Sequence, residues 1–137
     1  MRNPHLPDHN NFVFILNTQI SAHLSDSSLT ISRLLRLVGM SRTDLHRKIK
    51  RVFGMSAGRY LRHVRLQRAA TLLEEHPEWT LYQIALEVGF ESQSYFSRAF
   101  KASYGICPSE YRNTVYQAPD TAEVMKYARQ AGRKPGV

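Results

Sequence analysis

A ten-residue amphipathic pattern occurs twice in this chain, fifty positions apart, and it restricts the fold more than any other feature. The first copy runs from Thr30 to Gly39 as TISRLLRLVG, the second from Thr80 to Gly89 as TLYQIALEVG. Ile31, Leu34, Leu35 and Val38 align with Leu81, Ile84, Ala85 and Val88. Each set has i, i+3, i+4, i+7 spacing, which lines one side of a helix. After one inserted residue the correspondence resumes. Leu45, Arg47, Ile49, Lys50, Phe53, Gly54 and Tyr60 then match Phe96, Arg98, Phe100, Lys101, Tyr104, Gly105 and Tyr111. The body lacks period-two alternation, so it reads as all helical.

Helix ends are marked in both copies. Thr30 and Thr80 are N-cap residues by type, and Thr80 with Gln83 forms a capping box. Leu29 with Leu34, and Trp79 with Ile84, have hydrophobic-staple spacing, which makes the single tryptophan a clamp rather than a ligand contact. Gly39 and Gly89 supply left-handed stops. Ser41 and Ser92 then cap a second helix, with Ser41 and Asp44 as a further possible box. Each copy is therefore helix, glycine turn, helix. A longer helix is predicted between them over Ala57 to Glu75, ended by Pro77. Another precedes them over Phe12 to His23, with Phe12, Leu16 and Ile20 inward. A last one starts near Pro108. A short amphipathic helix fits Asp120 to Ala131.

The expected organisation is a loose segment over 1–11 and a body over 12–113. The body comprises a first unit over 12–54, a linker helix over 55–77 and a second unit over 78–113. A loose tail follows over 114–137. The fold class is all-α, two helix-turn-helix subdomains joined by a long linker helix in a homeodomain-like manner. At 137 residues the chain is long enough for a core without staples. One cysteine, Cys107, excludes an internal disulfide and suits a reducing cytoplasm. No apolar run approaches the roughly 20 residues of a membrane span.

Charge gives the first indication of a partner. The formal net charge is +8. Arg42, Arg47, Lys48, Lys50, Arg51, Arg59, Arg62, Arg65 and Arg68 stand against Asp44 alone between positions 42 and 68, and the rest of the chain balances. The four arginines of the linker, recurring at i+3, are read as lying along one side. A concentrated basic block favours a polyanion. Helix-turn-helix units place their second helix in the major groove. With Leu45, Ile49 and Val52 inward, the outer side of the first such helix carries Arg42, Thr43, His46, Arg47 and Lys50. With Phe96 and Phe100 inward, flanked by Tyr95 and Ala99, the second presents Gln93, Ser94, Ser97, Arg98 and Lys101. Arginine pairs bidentately with guanine, glutamine with adenine, and serine or threonine with several base edges. The expected base-reading set is thus Arg42, Thr43, His46, Arg47, Gln93, Ser94, Ser97 and Arg98. The expected phosphate-binding set is Ser41, Lys50, Arg51, Ser92 and Lys101.

The stretch Ile84-Ala85-Leu86-Glu87-Val88-Gly89-Phe90, followed by Ser94-Tyr95-Phe96-Ser97-Arg98-Ala99-Phe100-Lys101, Gly105 and Pro108-Ser109-Glu110-Tyr111-Arg112, resembles the signature of the AraC/XylS family of bacterial transcription regulators. The resemblance covers about Phe12 to Asn113. It implies two helix-turn-helix subdomains on successive major-groove segments, with base contacts from Thr43, His46, Arg47, Gln93, Ser94 and Arg98. Three positions depart from the family pattern. Leu35 stands where alanine is usual, Ile49 where phenylalanine is common, and Cys107 where serine is frequent. Packing is the expected role of Cys107, ahead of a redox switch. The stretch from Gly39 to Lys50 also resembles the output domains of hybrid two-component regulators, so the chain reads as an excised output domain or a short stand-alone regulator.

Two other classes fit the sequence less well. An enzyme would need metal-ligand spacing among the six histidines, a nucleophile elbow or a phosphate-cradling glycine loop, and the sequence has none of these. A single-strand or protein-binding module would present aromatic platforms, whereas most aromatic residues here fall at inward positions. The reading is therefore a cytoplasmic, non-enzymatic, double-stranded DNA binder with RNA polymerase as protein partner. It expects no cofactor, metal, membrane contact or small-molecule ligand. One molecule is expected to cover about 20 bp, with the DNA bent to bring two groove segments within reach of both units.

Overall fold

The computed structural model describes residues 9–117; the helix expected over Asp120 to Ala131 lies outside them. The described residues contain seven helices and no strand: α1 (His9–Ala22), α2 (Ile31–Val38), α3 (Arg42–Phe53), α4 (Ala57–Glu75), α5 (Leu81–Glu87), α6 (Gln93–Tyr104) and α7 (Pro108–Gln117). They form two compact units. The first takes in α1, α2, α3 and the start of α4 through Leu61; the second takes in the loop Ser25–Ser28, α4 from Arg62 onward, and α5 to α7.

The helix ends follow the side chains at them. Thr30, Ser41 and Ser92 accept from the backbone N–H groups of Arg33, Asp44 and Tyr95. Thr80 makes the full capping box: its hydroxyl accepts from the Gln83 N–H at 3.0 Å, and the Gln83 carbonyl oxygen accepts from the Thr80 N–H at 2.7 Å. Ser41 accepts from Asp44, but the Asp44 carboxylate pairs instead with Arg47, three residues along the helix. Gly39 and Gly89 have φ of 70° and 90°, the left-handed turn each copy needs before its second helix. Helix α1 starts at His9 and α7 extends to Gln117, so both encroach on segments expected to be loose. The extension of α7 has a packing reason: Val115, one turn beyond buried Tyr111, lies against the core.

In the first unit the core is built from Phe12, Leu16 and Ile20 of α1, Leu34 of α2, Leu45 and Ile49 of α3, and Tyr60 and Leu61 of α4. In the second it is built from Leu66, Leu72 and Leu73 of α4, Ile84, Ala85 and Val88, Phe96 and Phe100, and Tyr111 of α7. Helix α4 thus closes the first unit with one end and opens the second with the other. The repeat extends to single bonds. Tyr60, in the first turn of α4, stacks on Phe53 at 4.0 Å and donates its hydroxyl proton to Asn17 Oδ1 of α1 at 2.6 Å. Tyr111, in the first turn of α7, packs edge-on against Tyr104 at 5.7 Å and donates to Glu74 Oε2 of α4 at 2.6 Å.

The copies differ where the sequence departs from the family pattern. Ala85 of α5 is fully buried, whereas Leu35, its counterpart in α2, is half-buried. Ile49 is fully buried in the place Phe100 fills. Cys107 is not a core residue. It precedes Pro108 as the cap of α7, its N–H donating to Glu110 Oε1 at 3.2 Å and its thiol to the same oxygen at 3.1 Å.

Candidate nucleic-acid interface

Helices α3 and α6 hold twelve residues each and share one phase. Leu45 and Ile49 bury one side of α3, as Phe96 and Phe100 do for α6. At 3.6 residues per turn, the positions opposite those stripes are Thr43, Arg47 and Lys50 on α3 and Ser94, Arg98 and Lys101 on α6. Eleven of the thirteen expected site residues are exposed. His46 and Ser97 are half-buried, since each adjoins the inward stripe.

The residues at both N-termini, Ser41 to Thr43 and Ser92 to Ser94, are exposed. Ser41 and Ser92 use their hydroxyl oxygens to cap, which leaves the hydroxyl protons able to donate. Unpaired N–H groups and the positive end of the dipole favour an anion there. Lys50, Arg51 and Lys101 add cationic charge in the last turns.

The electrostatics of the two helices are unequal. In α3, Arg42 Nη2 donates to Ser32 Oγ of α2 at 2.9 Å, and Arg47 Nη1 lies 3.3 Å from Asp44 Oδ1, an exposed pair. Two expected base readers of the first unit are therefore held by neighbours, and a carboxylate stands on the same surface. Helix α6 contains no acidic residue. The position equivalent to Asp44 is Tyr95, which flanks the inward stripe and is 45% exposed. Its ring meets Phe90 edge-on at 5.5 Å, and its hydroxyl accepts from Arg62 Nη1 at 3.4 Å. Tyr95 and Arg62 extend the polar surface of the second unit from α6 onto α4. The sequence signal was there: Tyr95 occupies the Asp44 position in the repeat.

The basic block is not one face. Arg59, Arg62, Arg65 and Arg68 recur every third residue, but each step falls about 60° short of a full turn, so the four wind halfway around α4. Arg65 points inward, 6% exposed, and donates to the Val88 carbonyl at 2.7 Å and the Asp26 carbonyl at 3.3 Å. It is a structural residue, not part of a cationic surface. His63 is half-buried on the same helix, and burial pushes its pKa below the usual histidine value.

Among the described residues, no group of three or more His, Cys, Asp and Glu side chains is placed to hold a metal ion, and no helix is long and apolar enough to cross a membrane. An open depression of about 800 Å³ runs along α1, lined by Val13, Phe14, Asn17, Thr18, Ser21 and Ala22. Phe14, 69% exposed, belongs to no inward stripe.

A family model described as a helix-turn-helix domain matches residues 34–114. The multiple antibiotic resistance protein MarA of Escherichia coli is 35% identical over 92 residues, which make up 67% of this chain and 72% of MarA. The chain belongs to the AraC/XylS family. An AraC-type transcriptional regulator from Chromobacterium violaceum superposes with a TM-score of 0.72 at 28% identity, covering 81% of this chain and 96% of that one. The C-terminal domain of AraT, a response regulator from Geobacillus stearothermophilus, superposes at 0.69 with 34% identity, covering 80% and 88%. The chain spans about a third or less of the length of several longer relatives that it matches. Within the AraC/XylS family the paired helix-turn-helix units are the DNA-binding part, and α3 and α6 are their second helices.

Proposed function

We propose that this chain is the sequence-specific DNA-binding element of a transcription regulator, reading double-stranded DNA with α3 and α6 in successive major-groove segments. The observation that carries the reading is the shared phase of those helices. Arg47 and Arg98 stand at equivalent positions opposite buried stripes, each below a serine-capped N-terminus. Arg42, Thr43, His46, Arg47, Gln93, Ser94, Ser97 and Arg98 contact base edges; Ser41, Lys50, Arg51, Ser92 and Lys101 hold phosphates. The chain is a binding module of the cytoplasm rather than a catalyst. Its signal arrives through another domain or protein, as in a two-component output domain, and its output goes to RNA polymerase. Selection of duplexes from a random pool, followed by footprinting, tests the reading. A motif with two blocks one helical turn apart is expected, and no enrichment of any motif would defeat it.

A second reading has its own observation. The Asp44–Arg47 pair and the Arg42–Ser32 bond occupy the first unit's readers, whereas α6 carries no carboxylate. On that reading only the second unit docks specifically, and the selected motif has a single block.

A further inference from the structure

Arg65 is the one charged residue buried among the described residues, and its surroundings belong to the second unit. Burying a cation is costly, and an apolar side chain such as methionine could fill comparable volume. The Asp26 charge offsets part of that cost, and the guanidinium also makes two directed bonds to main-chain carbonyls. One acceptor is Val88, the C-cap of α5, at 2.7 Å. Carbonyls at a helix end lack partners within the helix, so this bond fixes the point where α5 stops. The other acceptor is Asp26, in the loop Ser25–Ser28, at 3.3 Å. The same loop holds the far side of the turn, where the Ser27 hydroxyl donates to Glu91 Oε2 at 3.2 Å. Ser92, the cap of α6, comes next. The turn between α5 and α6 is therefore held at its first residue by Arg65 and near its last by Ser27. Arg65 itself is anchored on the Ser27 side through Asp26.

We propose that Arg65 is a positioning residue for DNA reading: by fixing the α5–α6 turn against the Ser25–Ser28 loop, it sets the direction in which α6 presents Gln93, Ser94 and Arg98. This rests on α6 being a groove-reading helix. A base contact is sensitive to small displacements of its supporting shell. Loss of the clamp therefore weakens discrimination between sequences more than it weakens attraction to the phosphate backbone, which tolerates a shifted helix.

The test uses the whole chain and a duplex selected from a random pool. Affinity is measured for that duplex, for versions substituted in the block read by α6 or in the block read by α3, and for a scrambled duplex. For Arg65→Lys, which keeps the charge but not the fork, discrimination at the α6 block is expected to fall roughly tenfold, at the lower end of what a bidentate base contact supplies. Discrimination at the α3 block and affinity for scrambled DNA should stay within about twofold. The exposed substitution Ser27→Ala should lower the same discrimination by about twofold, a weaker hydrogen-bond effect, and both variants should speed amide exchange at Glu91. Unchanged discrimination at the α6 block in Arg65→Lys overturns the proposal. So does an equal loss at both blocks, which marks Arg65 as structural only. If Arg65→Lys does not fold, Ser27→Ala decides, and wild-type discrimination with wild-type exchange in that variant is a negative result. A wild-type chain that does not discriminate at the α6 block defeats the reading of α6 itself, before any variant is compared.

Discussion

Arg98 and Lys101 share one exposed side of α6 but have different tasks under the proposed function. A guanidinium that reads a guanine edge contributes to one sequence only, whereas an ammonium on a phosphate contributes to all. Arg98→Ala should cost on the order of 1–3 kcal/mol on the selected site and relax preference at one base pair. Lys101→Ala should weaken selected and scrambled duplexes by similar factors. Binding isotherms on both duplexes check the pair; equal losses for Arg98→Ala would remove it from the base-reading set. Asp44 gives a third residue-scale expectation. It holds Arg47 at 3.3 Å on the outer surface of α3. Asp44→Ala removes a like charge to DNA and frees the arginine, so it should tighten binding by a few-fold at low salt. At high salt, where screening removes the difference, the two proteins should converge.

At the scale of elements, stability should follow caps and aromatic contacts. Thr80→Ala removes an N-cap from a reciprocal box and should cost about 1 kcal/mol or somewhat more, read from the urea midpoint. Ser41→Ala breaks a one-armed cap and should cost less. The second unit should also carry an alkaline dependence. Burial, then the nearby Glu74 charge, pushes Tyr104 up to about 12; burial and the bond to Glu74 push Tyr111 up as well. Unfolded tyrosines ionise near pH 10, so these groups stabilise the fold fully below that value. The contribution is lost as pH rises from there through about 12. Tyr111→Phe should lower stability at pH 7 by about 1–2 kcal/mol, since it deletes a bond to a charged acceptor. It should also flatten the loss between pH 10 and 12, and an equally steep loss in the variant would disprove the assignment.

Elements were also what the sequence revealed most fully. Capping residues, staples and Pro77 are local, and α4 begins and ends at Ala57 and Glu75 as its periodicity implied. The outward sides of α3 and α6 followed from the same period. What local pattern did not reveal depends on tertiary neighbours. In the sequence Arg65 is one of nine cations; only the Val88 carbonyl, a tertiary neighbour, shows it to be buried. Tyr95 flanks the Phe96–Phe100 stripe, but only the tertiary contact shows that its ring meets Phe90 edge-on and that the residue stays 45% exposed. Cys107 is expected as a packing residue, whereas the hydrogen bonds to Glu110 place it as a cap of α7.

For the whole molecule, the question is how many phosphates and how many base pairs one chain engages. The nine cations between Arg42 and Arg68 lose Arg65 to the interior, and the remaining linker arginines wind around α4 rather than lining one side of it. Under the proposed function, phosphate contacts then fall chiefly to Lys50, Arg51, Lys101 and the capped N-termini of α3 and α6. About five contacts give a slope of log affinity against log salt near −4 to −5. If both units dock, that slope should accompany protection of about 20 bp, since successive major-groove segments on one face lie about 34 Å apart. If the second unit alone docks, the slope should fall to about half that value and protection to about 10 bp. Asp44→Ala then becomes informative in a second way. By freeing Arg47 it should lengthen a short footprint toward the full one while leaving an already full footprint unchanged. A salt titration of the wild-type chain, with footprints of both proteins on the selected duplex, separates the outcomes. A steep slope with a 10 bp footprint would contradict both.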